Sequence, residues 1–239
     1  MPYALRTDSN EALRSLAGKP ALLQPRLSGK HVRDVNAQHC HAVGELLARI
    51  HLATRDHPLQ RKSDRGLEWM LREGKVLATH QTPDATQLLN DTLAEIAALQ
   101  EQVRKLPRAN LHADLFRDNC MFEGTHLSGV IDFYNACSGP MLYDLAITVN
   151  DWCSDEGGHL DEGRARALLG AYAALRPFTA AEAELWPAML RIACVRFWLS
   201  RLIAAEAFAG QDVLIHDPGE FQRRLAARQQ VSLRLPFAL

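Results

Sequence analysis

His112-Ala113-Asp114-Leu115-Phe116-Arg117-Asp118-Asn119 is the stretch on which the reading of this chain turns. Asn110-Leu111 leads into it and Cys120-Met121-Phe122 leads out, so a polar octet sits between apolar, strand-like flanks. A scaffold of that kind can present a rigid loop. Further on, Leu127-Ser128-Gly129-Val130-Ile131-Asp132-Phe133 reads as a second short strand, and Gly124 falls in the turn, which predicts a β-hairpin. Asp132 ends the apolar run Val130-Ile131, a costly place for a carboxylate unless something cationic satisfies it. The pattern HxDxxxxN, hairpin, strand-end Asp fits phosphoryl transfer. One Asp accepts the proton of an attacking hydroxyl, an Asn five residues on holds a metal, and a second Asp holds metal against the phosphates. The rival chemistry is a metal site of His112, Asp114 and Asp118, as in a metal-dependent hydrolase. It leaves Asn119 and Asp132 without roles.

Outward from this loop the chain reads as helical. Asn36 is a candidate N-cap, followed by Cys40, Val43, Leu46, Leu47 and Ile50 at three- and four-residue spacing. A second helix is expected after Ser63, with Leu67, Met70 and Leu71 inward. A third starts at Thr82-Pro83, cap then N1 proline, and carries Leu88, Leu89, Leu93, Ile96 and Leu99. Beyond Gly139-Pro140 the pattern is helical almost to the end. Thr179 and Glu182 have capping-box spacing before a long apolar helix whose Pro187 predicts a late start or a kink. Upstream, Ala21-Leu22-Leu23-Gln24 reads as a buried strand closed by Pro25.

The 239 residues carry 27 Lys plus Arg against 28 Asp plus Glu, a formal charge of −1, which argues against a nucleic-acid binder. No apolar run reaches the roughly 18 residues of a membrane span, and the first residues lack a signal-peptide plan, so a cytoplasmic protein is expected. Five scattered cysteines without a CxxC pair predict neither a disulfide framework nor a zinc ribbon. No sequence feature speaks to oligomeric state. His39 and His41 lie two apart on a helix, on different faces, and make poor joint metal ligands.

Pro107–Asn119, Ser128–Gly139, Met141–Cys153 and Cys194–Leu202 together resemble the aminoglycoside-phosphotransferase-like kinases, small-molecule relatives of protein kinases. Within that group they look like the bacterial branch that acts on homoserine. The resemblance implies an α+β, protein-kinase-like fold, mainly its helical C-lobe with a small β-hairpin at the active site. Residues 1–30 would be a remnant of N-lobe strands plus the hinge, and residues 31–239 the C-lobe with the catalytic loop. It implies ATP and Mg2+ as cofactors and L-homoserine as the small-molecule partner, with no nucleic acid or membrane. Asp114 would be the catalytic base, Asn119 and Asp132 the magnesium ligands, and His112 the brace of the catalytic loop. Asp144 would pin that loop from beneath. Leu23, Gln24 and Leu27 would lie in the hinge that meets the adenine.

An amino-acid acceptor needs a cation for its carboxylate and an anion or carbonyls for its ammonium. Arg196, Arg201 and Asp151 are the candidates, because an arginine fork binds both carboxylate oxygens. For each, a buried ion pair or a solvated helix face is the alternative. The family also uses a phosphate-covering loop and a strand lysine. Only Lys19, Lys30, Lys62, Lys75 and Lys105 are present, and none stands where that lysine belongs. The expectation is therefore a chain that begins at the last N-lobe strands, with about 80 residues of a usual domain before them. Loss of such positioned charge costs about 100- to 1000-fold in rate. Two other functions stay open: a catalytically silent binding module, and a kinase for another hydroxy-amine such as an aminoglycoside or choline.

Overall fold

The computed structural model describes residues 3–236. It opens with a two-stranded antiparallel ribbon, β1 (Arg14–Leu16) and β2 (Lys19–Ala21). The expected strand over residues 21–24 is not formed. Leu22 and Leu23 lie outside β2 and are 55% and 51% exposed, because a two-stranded ribbon offers no second layer to cover them. The chain then crosses onto the central hairpin, where Lys30 bridges Phe122.

Three helices follow as the periodicity predicts: α1 (Ala37–Thr54), α2 (Leu67–Ala78) and α3 (Pro83–Arg104). Asn36 caps α1 through its side-chain oxygen, and His39 returns the bond to the Asn36 N–H, completing a capping box. Next come β3 (Arg108–Leu111), β4 (Cys120–Glu123), β5 (His126–Val130) and β6 (Cys137–Pro140). β4 and β5 form the expected hairpin, its turn made by Gly124 at φ +58°. β3 pairs antiparallel with β6, so the catalytic loop and the hairpin form one excursion closed at its base by that ribbon.

The C-terminal helices are α4 (Met141–Trp152), α5 (Glu162–Leu175), α6 (Ala180–Ala207) and α7 (Pro218–Ala227). α6 begins at Ala180 on the Thr179–Glu182 capping box, so Pro187 lies inside the helix and does not delay its start. α1 packs on α5, and α6 packs on α4 and α7. Every residue of α4 is buried, which makes it the axis of the core. Gly44 is required where α1 meets α5, since a Cβ there would lie 2.2 Å from the Leu168 carbonyl oxygen. All five cysteines are free and buried. No helix among the described residues is long and apolar enough to cross a membrane.

Candidate active site

α4 fixes the loop from His112 to Asn119. Asp144 accepts the backbone N–H groups of His112 at 2.7 Å and Ala113 at 2.8 Å. Two turns on, on the same face, Asp151 accepts the Arg117 N–H at 2.9 Å. The Trp152 indole donates to the Leu115 carbonyl at 3.0 Å. Three points along the loop are thus tied to one buried helix, and Ala113 is held at φ +63°, a strained backbone for a residue with a Cβ. Burial pushes the Asp144 carboxyl up, but the His51 hydrogen bond, the neighbouring His51 and His112, and the loop N–H outweigh it. Its pKa is lowered, and the carboxylate stays charged. The His51 bond is 3.2 Å long, and the other ring nitrogen of His51 meets the Tyr172 hydroxyl at 2.8 Å.

His112 ties the loop to the second acidic segment. Its Nε2 meets the Ile131 carbonyl at 3.0 Å and its ring packs on Phe133. Its Nδ1 is buried without a hydrogen-bond partner. Among the described residues no cluster of three His, Cys, Asp or Glu is placed to hold a metal, which removes the His112–Asp114–Asp118 hydrolase reading.

Asp114, Asn119 and Asp132 open on one cavity of about 490 Å3, with Arg196 and Arg201 in its wall. Asn135, which sequence reasoning missed, donates its side-chain amide to Asp114 Oδ2 at 3.0 Å, leaving Oδ1 for another donor. It stands three residues after Asp132, in a polar turn with no spacing signal of its own. Burial raises the Asp114 carboxyl above its ordinary value of 3.8, opposed by the Arg196 charge. Asn119 Nδ2 donates to the Asp114 carbonyl at 2.8 Å, so its amide oxygen is the uncommitted end. Asp132 does not carry the burial cost expected of it. It lies beyond the strand, exposed, at φ +61°, with Val130 the last residue of β5. The amide oxygen of Asn119 and the carboxylate of Asp132 would suit a hard cation, which binds through oxygen.

The other candidates divide. Arg196 is 5% exposed and has no acidic partner within ion-pair reach among the described residues. Arg201 lines the cavity, but its guanidinium is held by Glu220 and by the Asp217 carbonyl at 3.0 Å. Asp151 takes the buried ion-pair alternative. It lies outside this cavity and is taken up by the Arg117 N–H, the Arg117 guanidinium at 3.2 Å and Arg224 at 3.6 Å, because α4 points it at the loop. Leu23, Gln24 and Leu27 are not in the cavity wall either. The Leu23 carbonyl accepts the Leu5 N–H at 2.8 Å, Gln24 is exposed, and Leu27 packs on Gly129 of the hairpin.

Residues 2–178 match the model of the phosphotransferase enzyme family (APH). The chain belongs to that family. It is 69% identical over 239 residues to the homoserine kinase of Pseudomonas aeruginosa (strain LESB58), covering 100% of this chain and 76% of the relative. It is 41% identical over 232 residues to that of Janthinobacterium sp. (strain Marseille), covering 95% of this chain and 72% of the relative. The fold is that of the amicoumacin kinase solved with AMP-PNP, Ca2+ and Ami, with a TM-score of 0.69 at 17% identity. That match covers 99% of this chain and 74% of the other. An aminoglycoside phosphotransferase from Alicyclobacillus acidocaldarius gives 0.65 at 17% identity, over 95% of this chain and 73% of its own. The protein-kinase-like α+β fold implied by the resemblance is the fold observed.

Proposed function

We propose that this chain serves transfer of the γ-phosphoryl group of ATP to the side-chain hydroxyl of L-homoserine, giving ADP and O-phosphohomoserine. The observation that carries the reading is the convergence of Asp114, Asn119 and Asp132 on one cavity, in a chain 69% identical to a homoserine kinase along its whole length. Asp114 Oδ1, left free by the Asn135 bond to Oδ2, orients the acceptor hydroxyl and takes its proton as oxygen attacks phosphorus. Asn119 Oδ1 and the Asp132 carboxylate hold Mg2+, which when bound neutralises charge on the phosphate oxygens. His112 and Asp144 are positioning residues that act through the loop. Residues 1–30 are read as strand and hinge, with Leu27 packed on the hairpin at Gly129, and residues 31–239 as the helical lobe.

Two measurements test this. ADP release is followed with L-homoserine, choline and an aminoglycoside as acceptors; homoserine is expected to support turnover best, and a preference for either of the others contradicts the acceptor. Calorimetry of ADP binding is expected to show tighter binding with Mg2+, an effect lost in Asn119→Ala and Asp132→Ala. Equal affinity with and without Mg2+ in the unaltered chain contradicts the metal assignment.

A further inference from the structure

A smaller cavity of about 150 Å3 adjoins the one at Asp114. Ala113 and Asn135, the loop neighbour of the base and the residue bonded to its carboxylate, form part of its wall. Arg65 and Arg196 line both cavities, so the two spaces share a cationic edge. Tyr143, from the first turn of α4, lines the recess, as does Asp64, whose carboxylate is taken up by Arg61 at 2.9 Å.

Two of these groups are without a side-chain partner among the described residues. The Tyr143 hydroxyl has no hydrogen-bond partner. Arg196 rests its guanidinium on the Phe197 ring at 3.8 Å and has no acidic partner among the described residues. Arg176 holds Glu182 at 2.7 Å and Arg228 donates to Asn150, Gly158 and Ser154, while Arg224 holds Glu220 but leaves Nε and Nη1 unpartnered. A buried cation and a buried hydroxyl left without partners carry a desolvation cost that a bound anion removes. The positions are also productive, since Arg196 faces Asp114 closely enough for the two charges to act on each other.

We infer that this recess takes the carboxylate of the amino-acid acceptor, with Arg196 and the Tyr143 hydroxyl as its donors and Arg65 beside them. The inference rests on reading the Asp114 cavity as the acceptor site and adds what selects the acceptor. At about 150 Å3 the recess has room for a carboxylate and its α-carbon. The methylene arm of homoserine then leads back towards Asp114, while alcohols lacking a carboxylate leave Arg196 unpaired.

The test is calorimetric titration of the full chain with L-homoserine and with 3-aminopropan-1-ol, which is homoserine without its carboxylate. L-Homoserine is expected to bind at least tenfold more tightly. Tyr143→Phe keeps the ring and the packing and is expected to weaken homoserine binding about tenfold. Arg196→Gln is expected to weaken it about 100-fold, and neither change should move the affinity for 3-aminopropan-1-ol. Equal affinity of the unaltered chain for both compounds overturns the inference, and so does homoserine binding unchanged in a folded Tyr143→Phe. If the unaltered chain binds neither compound, the homoserine reading falls and takes the recess with it.

Discussion

Asp114 works against two opposed influences. Burial lifts its carboxyl above the ordinary 3.8, and the Arg196 charge pulls it back. A base must be unprotonated to act, so turnover falls in acid as Asp114 takes up a proton, at a higher pH than for a free carboxylate. In Arg196→Gln the opposing charge is gone, and the acid limb of the kcat profile should move to higher pH. Arg196→Lys keeps a cation and should leave the limb near its original place. A limb that stays fixed in Arg196→Gln would mean that Arg196 does not reach Asp114. At this scale the sequence was informative where chemistry demands a spacing: Asp114, Asn119 and Asp132 were found from five- and thirteen-residue intervals. Asp151 takes the buried ion-pair alternative: a carboxylate bonded to a loop N–H and two guanidinium groups looks, in sequence, like one waiting for a ligand. Asn135 and Tyr143 went unmarked, since an amide in a turn and a tyrosine in an apolar helix carry no pattern.

Among the elements, α4 decides the geometry of the loop. Asp144 has a lowered pKa in the fold, so its stabilisation is fully present above the ordinary 3.8 and is lost as pH falls through the lower folded value. Asp144→Asn leaves His51 and two loop N–H groups without their anion and should cost about 3 kcal/mol or more by denaturant unfolding. Its stability should also fall less steeply in acid than that of the unaltered protein; an equally steep fall would place the acid sensitivity elsewhere. Gly44→Ala forces α1 away from the Leu168 carbonyl and should cost about 1–3 kcal/mol, seen as a lowered Tm. The helices α1 to α3 could be read from caps and periodicity because each has one wet face. α4 has none, so the chain beyond Pro140 reads as helical without showing which face turns inward. The β3–β6 ribbon was equally hidden, because four-residue strands joined across the whole catalytic excursion leave no local signature.

At the scale of the whole molecule, a helical body grips a short polar loop, and the hairpin beside it supplies the second acidic oxygen. The β1–β2 ribbon belongs to the chain but not to the cavity wall, which explains why apolar Leu22 and Leu23 misled a reading based on hydropathy alone. The formal charge of −1 suits a small zwitterionic acceptor, which gains little from a strong overall field. The central claim is that Asp114 takes the proton of the homoserine hydroxyl. It is tested by following phosphorus-31 signals with ATP, Mg2+ and L-homoserine, for the unaltered chain and for Asp114→Asn. The unaltered chain is expected to form O-phosphohomoserine, and Asp114→Asn to form it about 100-fold more slowly or worse, with its fold and nucleotide affinity intact. A folded Asp114→Asn that forms phosphohomoserine at the unaltered rate would contradict the account.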